Sequence, residues 1–331
     1  MPGTGTSNRN IIRCIALLLT LSLGGCSMFE PKTEPADVPD VVSVPPPVEP
    51  ARPVEPVRKP PEPVPEPPRL PPVAIVLTSS LPAFLDVANA LTDQLDDFQI
   101  FDLSDGGQPP VSILRVVNDS NSGTVVAIGL RAAKSSVAMA DKPVIFSQVF
   151  NHQDHGLVTA NSRGVATLAP LEAQLAAWTK VNPTISRVGI IVGKGHDDLI
   201  TEARLAAQKH KIELRVQISH SDQETVYMFR RMAQDIDGFW LFPDNRVLSA
   251  RSLREILETA KRGRVAVAVP YDSMLDMGAT ISLGTQAEDI AATIARVIRQ
   301  IHAEGIKNVP EISPLSAIRV VTPGGANVVK R

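Results

Sequence analysis

Short apolar runs alternate along this chain with longer segments whose apolar positions recur every three or four residues, and the alternation persists from Val73 to about residue 305. Runs of four to eight apolar residues bounded by turn-formers read as buried strands, and the 3.6-residue period reads as amphipathic helix. The pattern predicts strands over 73–77, 98–103, 125–128, 143–146, 187–192, 212–218, 238–242, 265–269 and 279–283. Between them lie helical segments. Pro82 opens one whose Phe84, Val87, Leu91 and Leu95 share a face; Pro170 opens another with Leu171, Leu175 and Trp178 aligned. Helices over 110–117, 132–140, 198–210 and 249–262 follow the same logic, the last stopping at Gly263. Ser221 with Glu224 and Thr285 with Glu288 read as capping boxes, the second opening a long helix along Ile290, Ile294, Val297 and Ile301. Residues 161–167 carry neither period and read as a link.

Strand and helix in alternation at this spacing imply parallel sheets covered by helices, hence an α/β fold. The cycle restarts after residue 165, which predicts two Rossmann-like lobes. The expected bounds are 73–165 for the first lobe and 166–274 for the second, with the late strand 279–283 and its helix returning to complete the first over about 275–305. Residues 306–331 are left as a C-terminal segment.

The N-terminal part follows different rules. Arg9 and Arg13 precede an apolar run over 15–23 that ends in Leu23-Gly24-Gly25-Cys26. That is the layout of a signal peptide with small residues before its cleavage point. Its ending resembles a bacterial lipobox, which implies removal of residues 1–25 and lipidation of Cys26, anchoring the chain to a membrane. Ser27 follows, where an Asp marks inner-membrane retention in such lipoproteins, so the outer membrane is the expected destination. The only other cysteine, Cys14, falls inside the leader, so an acylated Cys26 leaves no thiol for a disulfide, a metal or a nucleophile. Residues 31–72 hold 17 of the 29 prolines, too many for a helix or a ladder. Extended as polyproline II at about 3.1 Å per residue, residues 31–72 reach on the order of 130 Å, and with the lipidated Cys26 the span 26–72 is the expected stiff tether.

The formal net charge of −2 gives no electrostatic reason to expect nucleic acid. Gly193-Lys194-Gly195 follows a strand but lacks the third glycine of a dinucleotide fingerprint and the Lys-Ser/Thr of a phosphate loop. No Ser sits in a Gly-x-Ser-x-Gly elbow. Asn151-His152-Gln153-Asp154-His155 and His196-Asp197-Asp198 contain metal-ligand types without a third ligand at a recognised spacing, and read as solvated loops. The expectation is a non-enzyme with no cofactor and no metal.

What remains is the set of polar exits at strand ends, where open α/β sheets bind ligands. Phe239-Trp240-Leu241-Phe242 runs into Pro243-Asp244-Asn245, and the strand over 265–269 runs into Pro270-Tyr271-Asp272. With Gly164-Val165-Ala166, Pro170-Leu171-Glu172-Ala173-Gln174-Leu175, Arg187-Val188-Gly189-Ile190 and Ser282-Leu283-Gly284, these motifs resemble in order and spacing the substrate-binding lipoproteins of ABC transporters. The likeness is to the type I periplasmic-binding fold, whose members include amino-acid binders, and it covers about residues 73–320. It implies a ligand held between the lobes by Ser79, Ser80, Gly129, Arg131, Gln148 and Asn151 of the first, and by Asp244, Asn245, Tyr271 and Asp272 of the second. The expected occupant is a small solute, with amino acids as leading candidates, passed to an ABC permease. The competing reading is an outer-membrane-tethered scaffold or regulator that contacts a protein partner through the same fold. Asp244 and Asn245 also have a purely local reading, as a turn-forming pair.

Overall fold

The computed structural model describes residues 70–106 and 108–330; the leader, Cys26 and most of the proline tether lie outside the described residues. Among the described residues, no helix is long and apolar enough to cross a membrane.

Two sheets organise the body. The first contains β1 (Val73–Leu77), β2 (Phe98–Asp102), β3 (Thr124–Ile128), β4 (Val144–Ser147), β5 (Ser162–Val165) and β11 (Ile312–Ser313), in the order β11-β5-β4-β3-β1-β2. All its pairings are parallel, and β1 and β3 are buried along their whole length, as continuous apolar strands covered on both faces require. The second contains β6 (Arg187–Gly193), β7 (Glu213–Ser219), β8 (Gly238–Trp240), β9 (Ala266–Val269), β10 (Ile281–Gly284), β12 (Ala317–Thr322) and β13 (Gly325–Lys330), in the order β13-β12-β10-β9-β8-β6-β7. Here β12 runs antiparallel to both its neighbours.

Helices cover both faces of each sheet. On the first, α1 (Pro82–Thr92) and α8 (Ala287–Glu304) pack over Ile75, Val126 and Ile145, while α2 (Pro110–Asp119) and α3 (Leu130–Met139) cover Ala74, Val125 and Phe146. On the second, α4 (Leu171–Val181) and α5 (Asp197–Lys209) take one face, and α6 (Asp222–Met232) and α7 (Ala250–Gly263) take the other. Ile290, Ile294, Val297, Ile298 and Ile301 of α8 are all buried, each contributing about 1.5–3 kcal/mol by the usual burial scale. The buried indole of Trp240 donates to Gln174 Oε1 at 2.9 Å, and Gln174 Nε2 donates to the Ala169 carbonyl, so these polar groups in the core are satisfied.

The chain departs from the sequence expectation in instructive places. Residues 162–165 form β5 rather than a link. Its Ser162-Arg163-Gly164-Val165 is tolerated inside the sheet because Ser162 Oγ donates to the Leu157 carbonyl and the buried Arg163 guanidinium donates to the carbonyls of Val309, Thr159 and Ser162. The late strand joins the second sheet, between β9 and β12, instead of returning to the first; only the helix that follows it packs on the first lobe. The C-terminal segment is divided, β11 pairing with β5 and β12–β13 edging the second sheet. The chain therefore crosses between lobes three times, from β5 to α4, from β10 to α8 and from β11 to β12. Thr285 does not cap α8: its N-cap is Gln286, without a side-chain bond. Asp289 in the first turn accepts instead from Ser316 N, Ser316 Oγ and Ala317 N, pinning the last crossover to the helix. Ser221 accepts from Glu224 N as expected, but the Glu224 carboxylate accepts from His220 N, one residue outside the box.

Candidate functional site

The carboxyl ends of the parallel strands in both lobes supply the exits on which the site is built. After β1, Thr78 Oγ1 accepts from Ala132 N in the first turn of α3 at 3.0 Å. Gly129 caps that helix at φ +86°, and a Cβ there would stand 2.6 Å from Thr78 Oγ1, so the close approach of the two loops requires glycine. Ser79 is half-buried; Ser80 donates to Asp102 at the end of β2. Burial would raise the Asp102 carboxyl, but the bonds from Ser80 and Ser104 outweigh it and hold it below the ordinary range. Arg131 is exposed. After β4, Gln148 sits at φ +57° and donates through Nε2 to the Ala83 carbonyl at 3.0 Å. Asn151, three residues on, is buried.

In the second lobe the exit of β8 is Pro243-Asp244-Asn245-Arg246. Asp244 is only 1% exposed and every one of its contacts is internal. Gly193 N donates to Oδ2 at 2.8 Å; Arg246 donates through Nε to Oδ1 at 2.9 Å and through Nη2 to Oδ2 at 2.8 Å. His196 Nε2 lies 3.2 Å from Asp244 Oδ2 and 2.6 Å from Arg246 Nη2, so a protonated nitrogen donates to the carboxylate and a bare one accepts from the guanidinium. Burial would raise the Asp244 carboxyl, yet Arg246, His196 and the Gly193 amide together hold it far below the usual range. The exit of β9 places Tyr271 half in solvent, while Asp272 accepts from Arg319 Nε of β12 at 2.8 Å.

Side-chain hydrogen bonds cross between the lobes here. Asn151 Nδ2 donates to Asp244 Oδ1 at 3.2 Å and to Asn245 Oδ1 at 3.0 Å, and Arg246 Nη1 donates to Asp154 Oδ2 at 2.5 Å. Beside them lies a cavity of about 150 Å³. Gln148, Asn151, Asn245 and Tyr271 line it, with Phe150 and Thr167. Four of the ten residues expected from sequence are thus brought round one space, two from each lobe. Ser79, Ser80, Gly129, Arg131, Asp244 and Asp272 are not in that lining.

Sequence reasoning missed three residues that set this geometry. His196 is buried, not part of a solvated loop, and Asp154 is committed to Arg246. Arg246 itself follows Asn245 directly, so a cation two residues after a strand-end Asp was the available signal. Among the described residues no group of three or more His, Cys, Asp or Glu side chains could hold a metal ion.

With Asp244 spent on Arg246 and Asp272 on Arg319, the cavity presents amides, a phenol, the His155 imidazole and the Thr167 hydroxyl, a lining suited to hydrogen bonds with a small polar molecule. Comparison with known proteins bears on this arrangement. A protein-family model described as ABC transporter substrate binding protein matches residues 98–317. Among solved structures, a conserved domain protein from Vibrio cholerae aligns at 19% identity, with a TM-score of 0.52 over 79% of this chain and 92% of that one. An ABC domain from Streptococcus pneumonia in complex with L-Trp aligns at 16% identity and TM-score 0.53, over 76% of this chain and 91% of that one. The ligand-free, open structure of a substrate-binding protein with adhesive properties from Clostridium difficile aligns at 14% and TM-score 0.58, over 76% and 92%. At these identities the likeness is one of fold. The search of curated proteins found no match.

Proposed function

Because this chain belongs to the ABC transporter substrate-binding protein family, we propose that it captures a small polar solute between its two lobes and presents it to an ABC permease. The family is one of solute binders, and the fold is of the type I periplasmic-binding kind. The observation that carries the reading is the meeting of Gln148 and Asn151 with Asn245 and Tyr271 around one cavity between the lobes. Asn151 Nδ2 is committed to Asp244 and Asn245, but Asn151 Oδ1 is buried without a partner and can accept; Asn245 Nδ2 and the second Gln148 amide hydrogen can donate, and the Tyr271 ring offers a flat apolar face. An ammonium would find no free carboxylate in the lining, since Asp244 and Asp272 are both paired with arginine. This favours solutes whose polarity is carried by hydroxyl and amide groups, and an amino acid only if its charged ends are met by dipoles.

Lipidation of Cys26 and the proline tether complete the proposal: the body works at the end of a long leash on a membrane facing the periplasm, the outer membrane being favoured by Ser27. Ligand binding to the folded state raises its melting temperature, by about 2.7 kcal/mol of stabilisation at a hundredfold excess over Kd. Thermal unfolding across amino acids, sugars and nucleosides tests the reading. A saturable upward shift with one class supports it; no shift with any class, and no small molecule released on denaturation, counts against it. Palmitate labelling that survives in the wild type and vanishes in Cys26→Ser tests the anchor.

A further inference from the structure

The loop after β4 divides the space between the lobes into two chambers. Phe150 packs against His196 with ring centroids 4.8 Å apart and planes tilted by 48°, and Phe150 and Thr167 line both sides of the partition. Behind it lies a cavity of about 350 Å³, larger than the front chamber and within the range of small-molecule sites. Residues 165–171 with Ile312, Pro314 and Leu315, which belong to two of the three connections between the lobes, form part of its wall. Its apolar surface comes from Phe150, Leu168, Leu171, Leu199, Ile312 and Leu315.

Its charge is one-sided. Asp198 and Glu202 line the cavity from α5, four residues apart and so on one side of the helix. Both are exposed, and among the described residues neither makes an ion pair or a hydrogen bond. Asp198 stands in the first turn of α5, where the helix N-terminus favours a carboxylate, and Glu202 follows one turn on. Burial pushes the His152 imidazole below its ordinary range and keeps it neutral near pH 7, while His196 is occupied by Asp244 and Arg246.

We propose that the rear cavity is a second ligand site, for an organic cation with an apolar body: the ammonium lies against Asp198 and Glu202, and the body packs among Phe150, Leu168 and Leu315. An occupant touches the loop after β4, α5 and two inter-lobe connections at once, so it also holds the lobes at their present angle. The site is separate from the front chamber and does not rest on the solute reading.

Calorimetric titration of the full chain with 4-phenylbutylammonium and with its isosteric anion, 4-phenylbutyrate, tests this. The ammonium should saturate one site and the carboxylate should bind at least about tenfold more weakly. The double variant Asp198→Asn/Glu202→Gln, both positions on the exposed side of α5, should lose about tenfold in affinity for the ammonium. Leu199→Trp should fill the chamber and abolish binding, and Tyr271→Ala in the front chamber should leave it unchanged. Absence of saturable binding of the ammonium overturns the proposal. So does equal affinity for the two ions, or loss of binding in Tyr271→Ala with none in the double variant.

Discussion

Arg246 of the second lobe reaches Asp154 of the first, joining the lobes by an ion pair, while its other donors hold the buried Asp244. The two halves of that contact differ in environment, so their removal should differ in cost. Asp154 and Arg246 side chains are about a third exposed, and a pair in that setting contributes at most about 1 kcal/mol. Asp154→Asn should therefore leave urea stability within about 1 kcal/mol of wild type while widening the molecule in solution scattering, because the ion pair with Arg246 between the lobes is gone. Arg246→Ala strands a buried carboxylate and should cost about 3 kcal/mol. Equal costs would show that Asp244 does not depend on Arg246.

Acid should act through the same carboxylate. Asp244 is held far below its unfolded value, so its contribution to stability is complete above the unfolded carboxylate range, near pH 4, and is lost as pH falls toward the folded value. Asp237 behaves alike, because Arg187 and the Ser186 hydroxyl and amide bind its charged form. Denaturant unfolding between pH 6 and pH 2 should show the gap between wild type and Asp244→Asn closing as the solution is acidified. A constant gap would mean that the variant's defect is one of shape rather than charge.

Glycine positions separate close approach from mere flexibility. A Cβ on Gly284 would stand 2.8 Å from the Pro270 carbonyl oxygen, a backbone atom that cannot rotate away. Gly284→Ala should destabilise by about 1–3 kcal/mol and, because Pro270 leads into Tyr271, weaken solute binding as well. Gly263 ends α7 with nothing nearer than Val265 Cγ2 at 3.7 Å, and Gly263→Ala should stabilise by about 0.5–1 kcal/mol. Melting temperatures of the two variants should move in opposite directions.

The sheets were legible because their strands are apolar and their helices periodic. Val73–Leu77 and residues 125–128 have no other way to hide five and four consecutive apolar side chains, respectively. β5 was illegible because its polar side chains are satisfied by carbonyls from Leu157 and Val309, partners that no local pattern reveals. The placement of β10 was equally hidden, since a four-residue strand fits either sheet until β12 pairs with it. In the cleft, the family resemblance placed Gln148, Asn151, Asn245 and Tyr271 among the expected ligand contacts, and these four line one cavity. The sequence could not tell that Asp244 and Asp272 would be spent on Arg246 and Arg319, because those pairings depend on where the loops after β8 and β9 fold.

If the chain is a solute binder, a small molecule occupies the space between Gln148, Asn151, Asn245 and Tyr271. Native mass spectrometry of the protein purified from its own host, repeated on Asn245→Ala and Tyr271→Ala, tests it most directly. The wild type should carry an added small-molecule mass that is lost or sharply reduced in both variants, each still folded by circular dichroism. A wild type that carries no added mass even after incubation with host metabolite extract, or variants that retain the adduct undiminished, would contradict it.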